Sequence, residues 1–207
     1  MQSKTQIIQH LEMYHLHQTA LCENKQTSIY SLDQSMVMAW IYHDHLLEGR
    51  SFEPEEIKIA INKRDQELPT YLHPLLEDIR LYESAIKQTC TYASKGTSNL
   101  SLNKLQKMHK LLMTYEPKEG ARIRTNSPVH RDYHQEICAH SQVSSLLKSF
   151  YRDVQNFTIE YHDIVSYAAQ LHHQLMYIYP YRRVPGLLAR LFTNQFMKLT
   201  ITHPLLF

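Results

Sequence analysis

Between Ile178 and Arg190 the chain reads IYPYRRVPGLLAR. A Pro-aromatic turn and a Pro-Gly break lead into an apolar helical run, the frame of a loop-to-helix phosphate site, in which backbone amides at a helix start meet an anion. Arg182 and Arg183 could draw an anion there, although arginines before a helix also serve as plain surface charge. The stretch holds no carboxylate, no histidine and one glycine, Gly186. Pro185 has no amide to offer, and Val184, being β-branched, resists the positive φ such loops use.

Other groups could do chemistry elsewhere. His130, His134 and Cys138 are spaced four apart, as metal ligands on one helical face would be. Fourteen histidines make such spacings common by chance, and a structural zinc site needs four ligands. His172 and His173 precede the loop in a helical register and read as packed helix residues. Tyr177, Tyr179 and Tyr181 alternate around the loop, where they could stack a base or fill space as core rings.

The elements that must position these groups are helical. Glycine occurs only at 49, 96, 120 and 186, and proline is absent from 75 to 116 and from 129 to 179. Both residues are penalised inside helices, so a chain this poor in them can run long ones. Helices are expected at about 4–20, 28–47, 54–64, 74–95, 101–114, 141–156, 160–178 and 186–199. Ser101 is the expected N-cap of LNKLQKMHKLLM, and Pro54 with Glu55 and Glu56 forms a favourable first turn. Ile164, Ala168, Leu171, Leu175 and Ile178 form one apolar stripe into the loop. Leu187, Leu188, Leu191, Phe192 and Phe196 form another leaving it. Residues 116–142 lack a clean period and make the longest connection, a place where function often sits.

Composition bounds the class. The 207 residues are 43% apolar and 20% charged, with length for one domain, 1–207. A net charge of +2 is too small to argue for nucleic acid. Three cysteines, Cys22, Cys90 and Cys138, without a CxxC read as reduced and intracellular. The N-terminus lacks the apolar core of a signal peptide, and no stretch nears the roughly 18 apolar residues of a membrane span. The expected location is the cytoplasm, or a secreted effector without a Sec signal.

SYAAQLHHQLMYIYPYRRVPGLLARLFTNQF resembles the heart of the Fic (Fido, Fic/Doc) family. Its pattern is a helix with Ala-Ala-x-Leu-His, an Ile-His-Pro-Phe loop, an acidic residue, Gly-Asn-Gly-Arg and a second Arg on the next helix. LQKMHKLLM resembles the family's Leu-His helix, and GARIRTNSPV its strand-forming segment before the flap. WIYHDHLLEGRSFEPEEIKIAI resembles the N-terminal inhibitory helix, here at about 28–49. The resemblance runs over roughly 36–204 and implies an all-α Fic-like bundle with a possible short β-hairpin flap. Many Fic folds continue with one more helix, so the chain reads as a minimal or truncated version.

Carried over residue by residue, the loop departs from the family. Tyr179 stands at the catalytic histidine, Pro180 and Tyr181 keep the Pro-aromatic pair, and Arg183 stands at the acidic magnesium ligand. Val184 and Pro185 replace Gly-Asn, Gly186 is kept, Leu187 replaces the first arginine, and Arg190 keeps the second. Glu48 and Gly49 match the inhibitory pair, with Asp44 at its Ser/Thr position; Glu48-Gly49 also reads as a plain helix end. The family reaction moves a nucleotide, usually AMP from ATP, onto a hydroxyl and needs a base near neutral pH. A tyrosine near pKa 10 is ionised in only about one part in a thousand at pH 7. Magnesium needs a hard oxygen ligand, which Arg183 does not supply. No cofactor is therefore expected, neither ATP nor magnesium being supported by this motif. The resulting reading is a catalytically degenerate Fic-fold binding or regulatory module, with no AMPylation activity and a protein partner through residues 116–142 and the 178–187 loop. The alternatives are a transferase with altered chemistry and a scaffold subunit of a larger assembly. Glu48 is expected within salt-bridge distance of Arg190, because both partners of the family's inhibitory contact survive.

Overall fold

A computed structural model describes residues 34–62, 73–93, 100–127, 136–157 and 164–202. The expected helix at 4–20 and the residues His130 and His134 lie outside them. Seven α-helices occur among the described residues: α1 Gln34–Leu47, α2 Pro54–Asn62, α3 His73–Ala93, α4 Leu102–Leu112, α5 Val143–Gln155, α6 Ile164–Ile178 and α7 Pro185–Thr202. A 3₁₀ turn, His140–Gln142, leads into α5.

Local chemistry sets the ends of these helices. The Ser101 hydroxyl accepts from Lys104 N at 3.4 Å and starts α4 as the sequence predicts. Pro54 opens α2, where Glu56 Oε2 reaches back to Glu53 N at 2.9 Å. After α1, Gly49 adopts φ 71° and Arg50 N donates to His45 O at 2.9 Å, a left-handed turn that satisfies a terminal carbonyl. The last helix begins one residue earlier than expected, at Pro185, and runs on to Thr202, since nothing before Pro204 breaks it.

α7 is the centre of the bundle. It packs on α6, α3 and α4, with Leu187, Leu188, Leu191, Phe192, Phe196 and Leu199 all buried. The α6 stripe Ile164, Ala168, Leu171, Leu175 and Ile178 is buried as its spacing predicts. α1 packs on α2 and α3 through Val37 and Ile41.

The possible flap falls largely on residues 128–135, outside the described residues. No strand occurs among the described residues; 122–127 is irregular. The backbone on either side of the undescribed segment bonds to α6 and the loop after it. Arg124 N donates to Pro180 O, and Cys138 N to Tyr177 O, each at 3.0 Å.

Candidate functional site

The loop after α6 is built by two left-handed residues. Tyr179 (φ 45°) ends α6, its N–H donating to Leu175 O at 2.9 Å, and Pro180 prevents continuation. Val184 (φ 47°) precedes Pro185, and its carbonyl accepts from Leu188 N at 3.0 Å to start α7. The expectation that Val184 avoids positive φ is thus wrong. The loop takes its left-handed turn without glycine because surrounding contacts over-determine it, at a strain of about 1–3 kcal/mol per such residue.

Two side chains supply that restraint. Arg124 is buried and donates Nε to Tyr179 O at 2.7 Å. Its Nη2 reaches Cys138 O at 2.5 Å and Ile178 O at 3.2 Å, and its Nη1 reaches Asn126 O at 2.9 Å. A cation against the last carbonyls of α6 also suits the helix dipole. His109, on α4, accepts Ala121 N–H at Nδ1, 2.8 Å away, which leaves its proton on Nε2 to donate to Arg183 O at 3.3 Å. Burial holds its pKa down to about 4, so the ring is neutral. It stacks on Tyr181 at 4.0 Å between centroids. The sequence marked His109 only within the resembling Leu-His helix and Arg124 only within the flap-like segment; neither role was visible there.

The charged centre lies at the start of α7. Glu48 Oε1 accepts from Arg190 Nη2 at 2.7 Å, inside the expected distance. Asp44, one turn earlier on α1, bonds Arg190 Nε through Oδ1, and its backbone oxygen stands 3.4 Å from Nη2. The sequence placed Asp44 at the inhibitory motif's Ser/Thr position, but its bond to Arg190 was missed. Its signal was the four-residue spacing to Glu48, which puts both acids on one helix face. Burial pushes the Asp44 carboxyl up to about 6 against the pull of Arg190. Burial also works against the Arg190 charge, but Asp44 and Glu48 outweigh it and raise its pKa. Asp44 and Arg190 therefore stand as ions at neutral pH. Gly186 completes the arrangement. A β-carbon there would collide with Glu48 Oε1 and stand 2.9 Å from Arg190 Nη1, so the glycine makes room for the carboxylate.

A cleft of ≈ 720 Å³ opens beside this centre, with Tyr179, Arg182, Val184 and Leu187 on one side and Leu47, Glu48 and Arg50 on the other. Arg183 turns to Glu116, with Nε 3.4 Å from Oε2. A magnesium ion does not fit the groups here: the loop presents a guanidinium where a carboxylate is needed, and Glu116 is engaged by it. Tyr179 and Tyr181 are both buried, and Tyr177 packs half-buried on the core. Cys138 is buried against Arg124, and burial raises its thiol pKa despite that cation. No group of three potential metal ligands occurs among the described residues. His172 and His173 lie on α6; burial and then Arg190 hold the His172 pKa down.

Residues 99–197 match the model of the Fic/DOC family. The fold is similar to that of Fic-1 (residues 134–508) from C. elegans, with a TM-score of 0.65 and 20% identity over 95% of this chain. The E274G form of that protein gives 0.62 and 19% over 95%. The chain spans 58% and 60% of those two solved chains. No curated protein sequence matches. The described residues have the helical fold of those Fic structures. No helix among them is long and apolar enough to cross a membrane.

Proposed function

We propose that this Fic-fold chain is a catalytically silent binding or regulatory module whose anion subsite is closed by its own Glu48. The observation that carries this reading is the Glu48 carboxylate on Arg190, seated where Gly186 leaves space at the first turn of α7. A helix start with an arginine beside it is an anion site by its physics, and here the chain fills it.

The rest of the loop supports silence. A phosphoryl-type transfer depends on positioning and charge stabilisation by several groups together. Tyr179 is a weak base at neutral pH, and its carbonyl is pinned by Arg124. Arg183 carries the wrong sign for a metal, and Leu187 offers no charge. What remains is a surface: the 178–187 loop with the 116–142 segment around it, through which we assign the protein partner. Incubation with labelled ATP and cell lysate tests the reading. No labelling above background is expected; labelling that disappears in Tyr179→Phe would overturn it.

The cleft beside Tyr179, Arg182 and Arg183 favours a second reading, a transferase with altered chemistry that takes another phosphate-containing donor. A thermal-shift panel of ATP, ADP, GTP and CDP-choline, with and without magnesium, separates the two. A ligand that binds the native state raises its melting temperature by mass action.

A further inference from the structure

We infer that Asp44 is a positioning residue: it keeps the Arg190 guanidinium aimed at Gly186 independently of Glu48, so the anion subsite stays built when Glu48 leaves it. This rests on reading the Glu48 carboxylate as the group that closes that subsite.

The two acids reach one guanidinium but hold it differently. Asp44 bonds Nε and places its backbone oxygen near Nη2, whereas Glu48 meets only Nη2 among the contacts to Arg190. Asp44 has a side chain 4% exposed, against 18% for Glu48. It sits on the buried face of α1 with Ile41 and His45, so it cannot withdraw unless the helix lifts from the core. Glu48 lies past the end of α1, beside the exposed Leu46 and Leu47 and with more of its side chain in solvent, so its departure from Arg190 does not require the helix to lift. Opening by that departure leaves Arg190 held at Nε with its other edge facing the space over Gly186. A donor already fixed in place spares an incoming anion the cost of ordering it.

Charge alone predicts the opposite of positioning. A carboxylate beside Arg190 weakens the local positive potential, so deleting it should tighten anion binding. Positioning predicts that deleting it loosens binding. The test uses the full chain and inorganic pyrophosphate as probe, followed by calorimetry. Glu48→Ala should bind at least about tenfold more tightly than the unsubstituted protein. Adding Asp44→Ala should lose about tenfold, the effect of one hydrogen bond to a charged group. Adding Asp44→Asn instead keeps an oxygen acceptor and should restore affinity to within about threefold. Unchanged or tighter binding with Asp44→Ala overturns the inference. If Glu48→Ala gains no pyrophosphate affinity, the closed-site reading fails, and the Arg190 Nε–H resonance then decides on Asp44. A resonance protected from exchange in Glu48→Ala, and lost in Asp44→Ala, supports positioning. One that exchanges freely in Glu48→Ala overturns it.

Discussion

Residue identity governs what the loop can do. Tyr179 is the position where a single change tempts, since histidine would bring a base near neutral pH. On the proposed reading Tyr179→His alone should give no transfer, because Arg183, Leu187 and the Glu48–Arg190 contact remain and such groups act as a unit. Measurable adenylylation by Tyr179→His would show that the rest of the site works. At the charged centre the two ways of breaking the contact should differ. Glu48→Ala leaves Arg190 paired with Asp44, so its cost by urea denaturation should be about 1 kcal/mol. Arg190→Ala strands a buried Asp44 and should cost about 3 kcal/mol or more at pH 7. Equal costs would mean that Asp44 does not share the arginine.

At the scale of elements, the α6–α7 connection keeps a strained shape without the glycines that would make it cheap. Tyr179 and Val184 both have positive φ, and the β-branched Val184 suffers more from it. Asparagine tolerates that region, so Val184→Asn should raise stability by about 1 kcal/mol if strain outweighs the packing of the half-buried isopropyl group. A loss of stability in a urea titration would assign Val184 to packing. The shape persists because Arg124 and His109, from different elements, hold the carbonyls of Ile178, Tyr179 and Arg183. The start of α7 thus keeps its geometry through bonds from other elements, not through the residues of the loop itself.

Across the whole molecule, buried titratable groups tie stability to pH. His45 donates Nδ1–H to Ile41 O at 2.9 Å and packs against Phe52 and Tyr82. Burial lowers its pKa to about 4, as it does for His109. A folded pKa below the unfolded 6.5 means stability present above pH 6.5 and lost as pH falls toward 4. Each histidine accounts for up to about 3 kcal/mol of that loss. Asp44 has the opposite sign. Its folded value near 6 lies above the unfolded value, so its contribution is present at low pH and is lost as pH rises through 6. His45 and His109, with His172 shifted in the same direction, outweigh the one carboxyl and leave a net loss between pH 6.5 and 4. Urea midpoints measured across that window should fall as pH falls. Replacing His109 with Gln should flatten the slope by about one proton; an unchanged slope would mean that His109 is not buried neutral.

The sequence alone determined the helices and the order of the loop. Apolar residues recurring every three or four positions, few breakers, Ser101 at a cap and Pro54 at a start are local signals, read within one turn of chain. The stripes on α6 and α7 and the glycine end of α1 were legible for that reason. Resemblance extended this to the bundle and to the meeting of Glu48 with Arg190. The site's other contacts were decided by tertiary structure. Asp44 meets Arg190 across 146 positions, Arg124 meets Tyr179 across 55 and His109 meets Arg183 across 74, and no local pattern encodes such a distance. The positive φ of Val184 is likewise hidden, because its residue type argues against it and only the surrounding bonds impose it. Which charges pair, and which backbone carries strain, follows from packing that brings distant segments together and excludes water from them.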